Sequence, residues 1–96
     1  KISDDEWAVR SHFQIGECYF NIQNYERAMI SFTKIEKEFT KYPAWQAKSV
    51  LEMGRVLIAQ GKKEEAIIKF KNVLDAYGKE KAALVARQYI QEIRSN

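Results

Sequence analysis

The apolar positions of this chain recur with helical spacing in five stretches. Ile15, Gly16, Tyr19 and Ile22 share one face of a first helix, predicted to end near Ile22. Ser3-Asp4-Asp5-Glu6 reads as its capping box, a hydroxyl followed three residues later by a carboxylate. Gln23 and Asn24 make a short turn, with Asn24 suited to a left-handed conformation. A second helix is predicted from about Tyr25 to Lys41, with Ala28, Phe32, Ile35 and Phe39 on one side. Glu26 near its start and Lys37 and Lys41 near its end suit the helix dipole. Tyr42-Pro43 stops it, because the residue before a proline is pushed out of helical geometry, and Pro43 then fits the first turn of the next helix.

The third helix, about Ala44 to Gln60, carries Val50, Met53, Gly54 and Leu57, and Gly61 suits its C′ position. The fourth follows Lys62, opens with Glu64 and Glu65, carries Ala66, Phe70, Val73 and Tyr77, and ends at Gly78. A fifth spans about Glu80 to Ser95, with Ala82, Ala83, Val85, Ala86, Tyr89, Ile90 and Ile93.

Two of these stretches repeat. A shift of 38 residues lays Gly16 on Gly54, Ala28 on Ala66, Phe32 on Phe70, Ile35 on Val73, Phe39 on Tyr77 and Trp7 on Trp45. Small residues meet small and large apolar residues meet large, the mark of one supersecondary unit used twice. The expected fold is all-α: two antiparallel helix pairs and a C-terminal capping helix, in one domain over 1–96. Repeat one covers about 7–42, repeat two about 43–78 and the cap about 80–95. Glycine and alanine let the helices of a pair approach closely, and Phe32 and Phe70 fill the gap to the next pair.

Composition agrees. Four Gly and one Pro leave little room for the turns of a many-stranded sheet. Net charge is +3, spread as −2 over residues 1–24 and +5 over the remainder, with no run of like charge long enough for a nucleic-acid arm. The single Cys18 excludes an internal disulfide. No apolar run approaches the ~18 residues of a membrane span. Because the chain begins with Lys1, it is read as a mature or excised segment, with any targeting sequence outside it.

With these residues placed, the pattern resembles the tetratricopeptide repeat. Ile15-Gly16, Tyr19, Ala28 and Phe32 carry the likeness in one copy, and Met53-Gly54, Leu57, Ala66 and Phe70 in the other. Departures are His12 and Val50 where the family often has Trp, Gln23 where it often has Gly, and Gly78 near a usual Pro. The long period and the phrase Phe39-Thr40-Lys41-Tyr42-Pro43 are similar to a bacterial subfamily. It includes the periplasmic accessory protein of the Tol-Pal system and the lipoprotein of the outer-membrane assembly machine. That likeness implies the periplasm or envelope; without it, the cytoplasm.

The resemblance implies a non-enzymatic scaffold whose first, third and fifth helices line a groove for a partner peptide or helix. Carried over by position, the groove would offer Arg10, Phe13, Glu17, Phe20 and Asn21, then Lys48, Leu51, Arg55, Ile58 and Ala59, then Ala86, Tyr89 and Ile93. The residues themselves show a repeated phrase, Phe13-x3-Glu17-x2-Phe20 and Leu51-x3-Arg55-x2-Ile58, which makes helices one and three apolar on two sides. Either these residues close the groove by packing on one another, or several stay exposed and anchor a partner. Glu17 and Arg55 are expected to pair with each other. The Lys and Asn positions of the family's carboxylate clamp read Phe13 and Glu17, so a free C-terminal acidic peptide is not the expected ligand.

Catalysis finds no footing. His12 and Cys18 lie about 240° apart around a helix and are expected in the core. No metal-ligand spacing, phosphate loop or nucleophile elbow occurs, so neither cofactor nor metal is expected. Lys62, Lys63, Lys69 and Lys71 are a basic patch interrupted by Glu64 and Glu65, read as a solvated face rather than a nucleic-acid site. Trp45 has a preceding helix to bury against, whereas Trp7 has none; Trp7 is expected to be partly exposed, or covered by upstream repeats or by self-association. The alternative function is therefore a structural segment within a longer array or homo-oligomer, with no ligand of its own.

Overall fold

In the computed structural model, residues 4–95 form five helices: α1 (Asp4–Asn21), α2 (Tyr25–Glu38), α3 (Pro43–Ala59), α4 (Lys63–Ala76) and α5 (Lys81–Ser95). No strand occurs among these described residues. The short turns at 22–24, 39–42, 60–62 and 77–80 fold successive helices back on one another. Each helix packs on the next, and α3 also touches α1 and α5. The molecule is only 19 Å through its thinnest dimension, the thickness of two helix layers at ~10 Å each.

The core sits on α3. Gln46, Ala47, Ser49, Val50, Leu51, Glu52, Met53, Gly54, Val56 and Leu57 are all buried, so this helix is covered on nearly every side. Its polar groups are satisfied locally: Ser49 Oγ donates to the Trp45 carbonyl (2.8 Å) and Gln46 Nε2 to the Glu36 carbonyl at the end of α2 (2.7 Å). Around it lie Ala28, Phe32, Ala66, Phe70 and Val73, each fully buried.

The glycines of the repeat are needed for close approach. A Cβ at Gly16 would stand 2.7 Å from Phe32 Cε1, and one at Gly54 would collide with Phe70. Helix ends follow local chemistry more closely than the periodicity does. Gly61 has φ +79°, its N–H donating to Ile58 and that of Lys62 to Leu57 (2.9 and 2.8 Å), a Schellman closure of α3. The end of α1 has the same pair of bonds, Gln23 to Phe20 and Asn24 to Tyr19 (2.9 and 2.8 Å). The left-handed residue there is Gln23 (φ 64°), not Asn24. Asn24 instead caps α2, its side chain accepting from the Arg27 N–H at 3.3 Å.

Other boundaries shift as well. The second helix stops at Glu38, before the expected Lys41, because Phe39 leaves helical geometry and its ring meets His12 at 5.8 Å. The fourth stops at Ala76, before Gly78, with Tyr77 as its C-cap. α1 keeps its acidic first turn, Asp4, Asp5 and Glu6, while the Ser3 half of the expected capping box lies outside the described residues.

Two outcomes follow. Gln23→Gly is expected to stabilise the fold by about 0.5–1 kcal/mol in urea denaturation, since glycine alone adopts this backbone freely. Phe70→Ala is expected to cost about 3–5 kcal/mol; a negligible change in the same assay would refute the packing described.

Candidate partner-binding groove

Helices α1 and α5 each pack on α3 but not on one another, so the strip of α3 between them forms the floor of a groove. The positions expected to line it lie on α1, α3 and α5. On α1, Phe13 and Phe20 are half-buried and Asn21 is exposed. Phe13 meets Phe32 edge-on at 5.4 Å and Trp45 at 5.3 Å, and Phe20 lies 6.0 Å from Tyr25. On α3, Leu51 is buried, Ile58 is half-buried against the core and Ala59 is exposed. On α5, Ala86 is buried, Ile93 is half-buried, and Tyr89 stacks on Phe70 with centroids 4.9 Å apart and planes 5° from parallel. The large apolar residues thus serve partly as packing and partly as surface.

Three cations rest on aromatic faces along the groove. Arg10 Cζ lies 5.1 Å from the Trp7 centroid, Lys48 Nζ 4.7 Å from Trp45 and 5.3 Å from Phe13, and Arg55 Cζ 5.3 Å from Phe20. Trp45 is therefore half-buried against Phe13 of α1 as well as following α2. Between α3 and α5, Ala44, Lys48, Leu51, Glu80, Lys81, Ala82 and Val85 line an open cleft of about 490 Å³. Lys81 and Val85 had no place in the sequence-based set. Their signal was weak, since the fifth helix carries no repeat of the phrase that marks the first and third.

The charge arrangement differs from expectation. Arg55 pairs with Glu52, three residues earlier on its own helix, with Nη1 2.9 Å from both carboxylate oxygens. It does not satisfy Glu17, whose Oε1 is buried without a hydrogen-bond partner. Glu52 was missed by the sequence reading, although a carboxylate set between Leu51 and Met53 in the most apolar helix is the sign that could have found it. Burial pushes the Glu17 carboxyl up to about 7, reinforced by a hydrogen bond to Glu52 and by its charge; Arg55 and Lys48 pull the other way. A carboxylate at Glu17 has nothing to accept, whereas a protonated carboxyl can donate to Glu52.

His12 is half-buried, and Cys18 is exposed rather than in the core. His12 lies beside α2, its ring 5.8 Å from Phe39, and Cys18 faces away from Phe13 and Phe20. No group of three metal-ligating side chains occurs among the described residues, and no described helix is long and apolar enough to cross a membrane.

Because the Glu17 carboxyl is raised in the folded state, the native protein binds more protons than the unfolded chain between the ordinary carboxyl value near 4.5 and about 7. Its contribution is therefore full at low pH and is lost as pH rises through that window. Glu17→Gln is expected to melt close to the parent at pH 5 and above it at pH 8. A difference that does not change with pH would show that Glu17 does not titrate in this range.

A family model for the tetratricopeptide repeat matches residues 9–37, and a second for the same repeat matches 48–80. No curated protein and no solved structure matches the chain. The matches fall on α1–α2 and α3–α4, the two helix pairs with the Gly–Phe contacts. The chain belongs to the tetratricopeptide repeat family, whose non-catalytic repeats mediate protein–protein interaction.

Proposed function

We propose that the groove floored by α3 and walled by α1 and α5 holds a peptide or helix of a partner protein, without catalysis. The observation that carries this reading is the pairing of half-buried Phe20, Ile58 and Tyr89 with exposed Asn21 and Lys48 along one open strip. Rigid half-buried anchors cost little ordering entropy on binding, and the flanking polar groups give register. Lys48 and Lys81 outnumber Glu80 around the cleft at the α5 end, so a partner side chain entering there is mildly favoured when it is acidic. With Glu52 neutralised by Arg55 and burial raising the Glu17 carboxyl to about 7, the middle of the strip carries little net charge.

The period of 38 residues and the Phe39-to-Pro43 phrase support a place in the bacterial envelope subfamily, with a periplasmic partner. A purely structural role is the second reading, favoured by the uncovered side of α1.

Peptides selected from a displayed library against the 96-residue chain test the groove. Lys48→Glu combined with Asn21→Lys is expected to weaken their binding by at least about tenfold, a ~1.4 kcal/mol loss, at a temperature where circular dichroism shows the chain still folded. Ile68→Asp on the outer face of α4 is expected to leave binding intact. Binding indifferent to the groove pair and lost with Ile68→Asp would sink the proposal.

A further inference from the structure

The outer side of α2 carries a ridge that its own chain leaves bare. Glu26, Ile30 and Lys34 follow one another at intervals of four, so their side chains form a single row on the helix surface. All three are exposed, Ile30 at 62%, while Ala28, Phe32 and Ile35 on the opposite side of the helix are fully buried. Neither Glu26 nor Lys34 has an ion-pair partner among the described residues. Beside the ridge an open furrow of about 540 Å³ runs between α2 and α1, with Ile15, Tyr19 and Ile30 along it. Ile15 is 45% exposed. Arg27, also at the furrow, lies over the Tyr19 ring with Cζ 5.8 Å from its centroid. One copy therefore presents both an apolar knob and the hollow next to it. Around α1, Ile15 lies roughly 140–160° from Phe13 and Phe20 at 100° per residue, so this surface is distinct from the groove.

We propose that this side of α1 and α2 is a self-association surface, on which two copies pack their α2 ridges side by side and antiparallel about a two-fold axis. The order of charges selects a second copy as the occupant. An axis through Ile30 reverses the row, so Ile30 meets Ile30 and each Glu26 stands beside the Lys34 of the other copy. Both charges lie four residues from Ile30, about 6 Å along the helix, and rows of this kind interdigitate at the commonest helix crossing, near −50°. Two opposite-charge pairs then flank an apolar centre, and each Ile30 enters the other copy's furrow towards Ile15 and Tyr19. Such a contact is isologous and closes at two copies. A parallel arrangement would set Glu26 on Glu26 and Lys34 on Lys34, so the charges favour the antiparallel one.

The second repeat is an internal control. Ile68 takes the place of Ile30 on α4 and is 59% exposed, but its row reads Glu64, Ile68, Asn72. Laid against itself, that row has two carboxylates and no cation. Met53 and Leu57, the equivalents of Ile15 and Tyr19, are already buried, so Ile68 lacks the open apolar wall that stands beside Ile30. Against the Ile30 row of another copy it makes one opposite-charge pair, Lys34 with Glu64, in a contact that does not close on two copies.

Sedimentation equilibrium of the 96-residue chain at rising concentration is expected to show monomer and dimer. Ile30→Glu is expected to weaken dimerisation at least about a hundredfold, and Ile68→Glu to change it by less than about threefold. Glu26→Lys and Lys34→Glu each turn two attractive contacts into two repulsive ones and are each expected to weaken it at least about tenfold. Combined in one chain they restore both opposite-charge pairs, and association should return to within about threefold of the parent. Circular dichroism at the assay temperature checks that every variant is folded, and the charge variants carry the test should Ile30→Glu fail to fold. A chain that stays monomeric up to about 1 mM overturns the proposal, as does a double reversal no stronger than the single ones. Association that withstands both single reversals, or that Ile68→Glu abolishes, overturns it too. Peptide binding in the groove has no part in these readouts.

Discussion

The contact on which the rest of the structure hangs is the ring of a phenylalanine on the second helix of each pair against a glycine on the first. At Gly16 and Gly54 the ring of Phe32 or Phe70 occupies the volume a side chain would need. Ala28 and Ala66, fully buried beside them, keep the pair close over a further turn. Such an approach maximises dispersion contact between two helices at the cost of glycine's conformational entropy. Its larger consequence is positional. A ring seated on backbone has little freedom, so its other side becomes a fixed surface. Phe70 uses that side to stack on Tyr89, which sets α5, and Phe32 uses it to receive the edge of Phe13.

Because each pair hands a fixed ring to the next element, the middle helix is enclosed. α3 buries Gln46, Ser49 and Glu52 along with its apolar residues, and all three polar side chains find partners within hydrogen-bond reach. The Glu52–Arg55 pair is the most consequential. Placed three residues apart, the two charges neutralise each other on one helix and leave Arg55 free to lie over Phe20. The seam between α1 and α3 is then closed by Glu17, whose buried oxygen lacks a donor as long as it is ionised. Proton uptake there relieves a desolvation penalty and adds a hydrogen bond, so the electrostatic state of the groove floor is tied to the packing of the two repeats.

The two sides of α1 answer different questions. Its groove side mixes half-buried aromatics with cations held over their rings, an arrangement suited to recognition. Its far side leaves Ser11, Ile15 and Cys18 exposed where the equivalent residues of α3 are buried. Internal repetition makes this visible, because α3 shows the same register with its partner helix in place.

Much of this is legible in the sequence itself. The 38-residue offset, the glycine–alanine–phenylalanine spacing, Pro43 at a helix start and Gly61 at a helix end are statements about local sterics and period, which the chain carries in itself. What the sequence could not supply was partner choice. Period alone ran the second helix to Lys41, whereas the ring of Phe39 against His12 accompanies an end at Glu38. Intrinsic preference assigned the left-handed turn to Asn24, whereas capping α2 claimed Asn24 and left that geometry to Gln23. Equivalent positions suggested Glu17 with Arg55, but the guanidinium found Glu52 one helical turn away at 2.9 Å. Cys18 and Ile15 read as core by periodicity and lie open, because burial belongs to the neighbouring helix and not to the residue. The sequence by itself determined which faces are apolar and how close the helices come; only the tertiary structure decided which of those faces is covered, and by what.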